Sequence, residues 1–285
     1  MQAMWTCQLS SDSCPEGLAT LADAFAKRNA GCSVDWLPGV SGVEASAGLR
    51  LAFVQGGEAR GVCAQQSSAL ALGDVVLLAA GQALELDGPL DLLLFTVPGP
   101  TPEGVPAFLR PDHDPRLTDT PGGCAQEADA YRRILLTWSE DNGPYLCQAL
   151  NAHRVRMHDS FSHYHPQSAG FEELYLVQHA LPDARLYWSE RVGDIENSAE
   201  LTRETASALI QTLPLAAGQL VYLPRGTMHR AVGGALAQVI TVPGFVPQQE
   251  IGLDHHLRKL QERFGFEGDE AIPFRLESSH GAVIQ

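Results

Sequence analysis

The tightest constraint on this 285-residue chain is that it contains part of itself twice. Leu70-Ala-Leu-Gly73-Asp-Val-Val-Leu-Leu-Ala79-Ala-Gly81 aligns without a gap on Leu215-Ala-Ala-Gly218-Gln-Leu-Val-Tyr-Leu-Pro224-Arg-Gly226, an offset of 145. The same offset carries Thr96-Val97-Pro98-Gly99 onto Thr241-Val242-Pro243-Gly244. Further upstream, Val54-Gln55 meets Val177-Gln178 at an offset of 123, so the second copy holds about 22 extra residues, around 190–206. Repetition at this scale means a duplicated fold, each copy with its own apolar interior.

Both copies consist of short β-rich runs separated by Gly or Pro, the pattern of an all-β sandwich or barrel. In the first copy the expected strands are 33–36, 49–54, 59–64, 74–78, 83–87 and 90–97. In the second they are 145–150, 154–158, 173–178, 184–188, 208–213, 219–223, 229–232 and 236–242. Seven of the eighteen prolines lie between Pro98 and Pro121, and proline removes donors and fixes φ, so a linker is expected there. The expected organisation is an N-terminal barrel with a leading helix at 1–97, a Pro-rich linker at 98–124, a second barrel at 125–247, and a helix and tail at 248–285. Helical spacing predicts helices at 13–31, capped by Ser13 and Glu16, at 125–138, and at 253–264. The polar segment 190–206 is read as a solvated excursion, with a lid over the second barrel as the alternative.

The histidines are distributed unevenly. None precedes His113, whereas the second copy carries His163-Tyr164-His165 and His229. Residues two apart on a strand share a face, so His163 and His165 can meet one ion. A carboxylate from Glu172-Glu173 and the imidazole of His229 after a Pro/Gly turn would complete a three-nitrogen, one-oxygen set suited to Fe, Mn, Ni, Cu or Zn. The repeat supplies the control: His229 aligns with Leu84, Pro224 with Ala79 and Glu173 with Arg50, so the first copy cannot hold such a site.

This stretch resembles the cupin superfamily, whose β-barrels carry the motifs G(x)5HxH(x)3-4E(x)6G and G(x)5PxG(x)2H(x)3N. Gly218, Pro224, Gly226 and His229 match the second, with Gly233 where Asn is usual. His163 and His165 match the first, with Met157 for its opening Gly, seven residues before Glu173, and Ala180 for its closing Gly. The six-residue count to Ala180 and the alternation through Tyr175 and Val177 favour Glu173 over Glu172 as the carboxylate. The resemblance implies two cupin (double-stranded β-helix, jelly-roll) barrels, with one divalent transition metal in the C-terminal barrel on His163, His165, Glu173 and His229.

Around that centre, Arg156, Tyr175, Tyr222 and Gln238 are the candidate substrate-binding residues, Arg156 for a carboxylate or phosphate. Glu173 is also the candidate proton acceptor. With 34 acidic against 19 basic residues, a net charge of -15, nucleic acid and anionic membrane are not expected partners; a small-molecule substrate and a homodimer are. No run approaches a membrane span or signal peptide, and the six cysteines form no C-x-x-C pair, so a reduced cytoplasmic protein is expected. No P-loop, H-E-x-x-H or nucleophile elbow is present. The expectation is a metal-dependent enzyme of dioxygenase type, with a sugar or sugar-phosphate isomerase or lyase, or a non-catalytic metabolite binder, as alternatives.

Overall fold

The computed structural model describes residues 4–9, 15–123, 125 and 130–285. Its first part comprises β1 (Trp5–Gln8), α1 (Leu18–Arg28), β2 (Ser33–Val43), β3 (Leu49–Gly56), β4 (Ala59–Cys63), β5 (Gln66–Leu70), β6 (Val75–Leu78) and β7 (Leu84–Val97). Next come β8 (Phe108–Leu109), β9 (Arg132–Leu136), β10 (Asn151–Asp159), β11 (His163–Tyr164), β12 (Glu172–Ala180) and β13 (Arg185–Ser189). The chain continues through α2 (Val192–Glu196), α3 (Arg203–Ser207), β14 (Gln211–Pro214), β15 (Gln219–Leu223), β16 (Met228–Val242), β17 (Ile251–Gly252) and α4 (Asp254–Phe264).

The strands form two sheets, one running β5-β4-β7-β3-β6-β8 with β2 on β7, the other running β1-β15-β12-β16-β10-β9. Each curls on itself because one long strand serves two neighbours in succession. The upper half of β16 pairs with β10 and β12, and its lower half with β13 and β11. The bend lies at Gly233, where φ is +81 and a side chain would strike the Asp183 carbonyl, so glycine is required.

Strand registers reproduce both sequence offsets. Arg50 stands opposite Leu78 and Thr96, and Glu173 opposite Leu223 and Thr241, the residues related by the repeat. Arg50 and Leu84 therefore occupy the first-barrel places of Glu173 and His229.

Alternation along the strands builds three apolar layers. Val54, Val76, Leu78, Leu84 and Leu92 fill the first barrel. Val155, Tyr175, Val177, Val221 and Val239 fill the second. The outward faces are buried too: Leu51, Phe53 and Phe95 of one sheet join Leu174, Leu176, Tyr222 and Ile240 of the other, with Phe25 of α1 edge-on to Phe95 and Tyr222. The repeated glutamines meet in this layer, since Gln55 and Gln178 each donate to the Gln238 side-chain oxygen at 3.0 Å.

Several elements differ from expectation. The leading helix is shorter, beginning at Leu18 behind Gly17; Ser13 lies outside the described residues. The expected helix at 125–138 is instead strand β9, although 126–129 also lie outside them. Its Ile134, Leu135 and Trp138 satisfy a helical spacing, but pairing along the edge of β10 decides the conformation. The paired runs at 83–97 and 229–242 are single strands. Sheet membership crosses the expected boundaries, since β1 pairs with β15 of the second barrel and linker strand β8 with β6 of the first. The 190–206 segment folds into short helices whose Val192, Ile195 and Ala206 pack with Leu257 and Leu260 of α4. Described cysteines are buried and unbridged, and no described helix is long and apolar enough to cross a membrane.

Phe95 is fully buried where the two sheets meet. Phe95→Ala is expected to cost about 3–5 kcal/mol in urea unfolding, as for a large aromatic removed from a core. A loss under about 1 kcal/mol would show that the inter-barrel layer contributes little.

Candidate metal centre

Three strands converge on one point inside the second barrel. His163 of β11 is the direct cross-strand partner of His229 of β16. His165 follows on the same face of the chain as His163, and Glu173 projects inward from β12 in phase with Tyr175 and Val177. The turn Pro224-Arg225-Gly226 leads into His229; Gly226 has φ +87, and a side chain there would collide with Gln167. All four side chains are buried, and one ligand atom from each lies within 4.8 Å of the other three.

The orientation of the rings is set locally. The Nδ1 atoms of His163 and His229 each lie 3.1 Å from the carbonyl of the residue two before, Phe161 and Thr227. Nδ1–H donation to a carbonyl leaves the lone pair on Nε2, the tautomer a metal needs. His163 stacks on Phe161 with ring centroids 4.5 Å apart and His165 lies tilted against Phe171 at 3.9 Å, which restricts ring rotation. The Nε2 atoms of His163, His165 and His229 are all buried with no hydrogen-bond partner. Three unmade bonds facing one carboxylate are costly without an occupant, so the residues present fit a metal ion.

Electrostatics agree for His163 and His165, whereas at His229 burial is outweighed by the Glu173 carboxylate, which raises the imidazole above its ordinary value. Burial, reinforced by the neighbouring His229, pushes His163 down to about 3, and burial holds His165 well below its ordinary value, so both are neutral imidazoles. Burial opposes ionisation of Glu173, but contacts with His229 and His165 outweigh it and hold the carboxylate well below the usual range. Its Oε2 lies 3.3 Å from His165 Nε2 and 3.4 Å from His229 Nε2.

Glu172 faces the opposite way. It receives the Arg28 Nε at 3.1 Å, the Arg225 Nε at 2.7 Å and the Tyr222 hydroxyl at 2.9 Å. Adjacent carboxylates thus separate into one that faces the imidazoles and one that ties α1 to the Pro224–Gly226 turn.

Of the cluster, Glu173 borders a cavity of about 270 Å³, lined also by Glu250, Arg132, His153, Thr241, Asn142, Asn151, Gln285 and several apolar side chains. Of the expected substrate-binding residues, Tyr175 lies inside the barrel, its ring edge-on to His229 at 6.1 Å. The other three are elsewhere. Tyr222 stacks on Trp5 in the inter-barrel layer. Gln238 donates to the Gly73 carbonyl of the first barrel at 2.9 Å. Arg156 shares the outward phase of Arg154, which bonds Gln178 and Asp112, and does not line the cavity. The inward phase of β10 belongs to Asn151 and His153.

Arg132, His153, Thr241 and Glu250 were missed in the sequence. Arg132 sits in the stretch read as helix, and His153 has no partner at ligand spacing in the sequence. Thr241 could have been found, because it follows the inward phase of His229 along β16. Glu250 comes from the segment after the barrel, reaches within 3.8 Å of His163 Nε2, and is pushed up to about 8 by burial and the Glu173 charge.

The repeat-related pair His229 and Leu84 provides the test. His229→Ala should lower metal content from about one ion per chain to a tenth or less by elemental analysis. Leu84→Ala should keep the ion while losing about 2–5 kcal/mol of stability. Glu173→Ala should strip the ion and Glu172→Ala should not; the reverse result would contradict the assignment.

No family model and no curated protein matches the chain. Among solved structures, it matches the formate complex of oxalate decarboxylase from Lactobacillus farciminis with a TM-score of 0.50 at 13% identity, over 96% of this chain and 93% of that one. A deletion mutant of Bacillus subtilis oxalate decarboxylase gives 0.48 at 12% identity, over 90% and 80%. A cupin 2 conserved barrel domain protein from Leptotrichia buccalis gives 0.44 at 13%, over 75% and 85%. At 13% identity the Lactobacillus farciminis likeness speaks for the fold alone, and it agrees with the all-β pair of jelly-roll barrels with few helices that the cupin resemblance implied.

Proposed function

We propose that the protein is a metal-dependent oxidoreductase of dioxygenase type, acting on a small organic molecule in the cavity of the second barrel. The observation that carries the reading is the set of three unpartnered Nε2 atoms converging with Glu173, which itself borders the cavity. Held by His163, His165, Glu173 and His229, a divalent transition ion would supply Lewis acidity and, if redox-active, electron transfer to oxygen. Three imidazoles and one carboxylate leave coordination positions for substrate or O2.

The protein's own groups have complementary tasks. The apolar wall, including Ile134, Leu136 and Phe245, excludes water and so limits side reactions. Glu173 borders the cavity as well as the imidazoles, which places its carboxylate where a bound substrate would meet it. Tyr175 fills the barrel beside His229 and fixes that ring. A sugar-phosphate isomerase fits less well, because a phosphate needs several cations and the cavity lining offers Arg132 against two carboxylates.

An oxygen electrode and metal replacement test the reading. Protein loaded with Fe(II), Mn(II), Ni(II) or Cu(II) should consume O2 with at least one small organic substrate, and Zn(II) in its place should abolish the uptake. Turnover that persists with Zn(II) and consumes no O2 would overturn the oxygenase reading in favour of isomerase or lyase chemistry.

A further inference from the structure

We infer that the cavity of the second barrel takes a small monocarboxylate with an apolar body, its carboxylate held by Arg132 and the Nε2 of His153. This deepens the proposed function and rests on it for the charge balance.

Three strands set the arrangement. Arg132, Ile134 and Leu136 are the inward residues of β9, whose Arg133 turns out to Asp119. His153 stands opposite Ile134 on one side and Val239 on the other, which puts it diagonal to Arg132. The Arg132 guanidinium lies against Gly122 and Gly123, where a side chain on Gly122 would come within 3.4 Å of it, and its Nη1 donates to the Thr120 carbonyl at 3.0 Å. The loop thereby orients the guanidinium beside the cavity.

His153 supplies the second observation. Its Nε2 is buried and has no hydrogen-bond partner. Buried polar groups in folded proteins are almost always bonded, so an unmade bond at a cavity wall marks where a ligand atom belongs. Burial, together with the Arg132 charge, pushes the ring down to about 3, so it is a neutral imidazole. A guanidinium offers only donors and a neutral imidazole can offer one N–H, so the group that satisfies both is an acceptor-only carboxylate.

Charge and size narrow the class. With Glu173 and Glu250 both ionised, a divalent ion and Arg132 outweigh them by one unit, which a monoanion neutralises. A phosphate or dicarboxylate would add charge for which the lining has no second Arg or Lys. Water occupies about 30 Å³ in the liquid. A cavity of about 270 Å³ therefore holds roughly nine non-hydrogen atoms of that size. Among the other lining residues, which include Asn142, Asn151 and Gln285, the side chains of Ile134, Leu136, Trp138, Val239 and Phe245 supply apolar surface for an aryl or branched hydrocarbon body.

Isothermal titration of the metal-loaded protein with benzoate and its neutral isostere benzamide tests the inference, with metal content measured on the same samples. Benzoate is expected to bind about tenfold or more tightly than benzamide, the gain of a charge-assisted hydrogen bond. Arg132→Gln and His153→Leu should each remove most of that preference while keeping the ion. His153→Gln, which retains an N–H donor near the Nε2 position, should keep it. Equal binding of the two probes by metal-bearing protein, or a preference that survives both substitutions, would overturn this inference alone. Protein isolated without an ion would overturn the proposed function and with it the charge balance.

Discussion

Two adjacent carboxylates on one strand organise the second barrel. Glu172 and Glu173 are both buried, and burying an unpaired carboxylate costs several kcal/mol, so each must be answered by cations or donors on its own side of the sheet. Strand alternation sends them apart. Glu172 draws Arg28 from the leading helix and Arg225 from the turn before β16 into the inter-barrel layer, and Arg225 donates back to the Arg28 carbonyl. Glu173 draws His165 and His229 into the barrel. One ion network therefore fixes the turn whose geometry delivers His229 to the other.

The duplication explains how one barrel can hold a buried polar cluster while the molecule remains stable. In the first barrel Leu84 takes the place of His229 and packs among Val54, Leu78 and Leu92, so that interior is filled by apolar side chains. Its outer face, with Phe53 and Phe95, covers the outer face of the second sheet. The second barrel can then leave polar atoms unpartnered inside, because much of the stabilising burial lies in layers the site does not touch. The polar crossing at Gln55, Gln178 and Gln238 fixes how the two outer faces meet.

Much of this was legible in the sequence where it rested on repetition or on spacing within a strand. The two offsets reappear as strand registers, and the partners of Glu173 and Arg50 correspond residue by residue. The common inward face of His163, His165 and Glu173 follows from alternation, and the helix at Asp254–Phe264 from helical spacing. What was not legible was which phase of β10, β15 and β16 faces the cavity. On an ordinary half-exposed sheet the outer face is polar and the phase can be read off. Here the outer face is itself buried against the other barrel, so Tyr222, Gln238 and Arg154 lie in a second interior and the contrast between faces disappears. Arg132 was hidden differently: its stretch satisfies a helical spacing, and only pairing with β10 makes it a strand. The crossing of β1 to the second sheet leaves no local signature, since a four-residue edge strand reads the same on either sheet.

The central claim is that chemistry resides in one barrel, on four named side chains. Anomalous diffraction from crystals of metal-replete protein, recorded on both sides of the metal's absorption edge, tests it most directly. One peak per chain is predicted, bounded by the Nε2 atoms of His163, His165 and His229 and a carboxylate oxygen of Glu173, with no peak in the first barrel beside Arg50 and Leu84. No peak at the cluster, or a peak coordinated by other residues, would contradict the account.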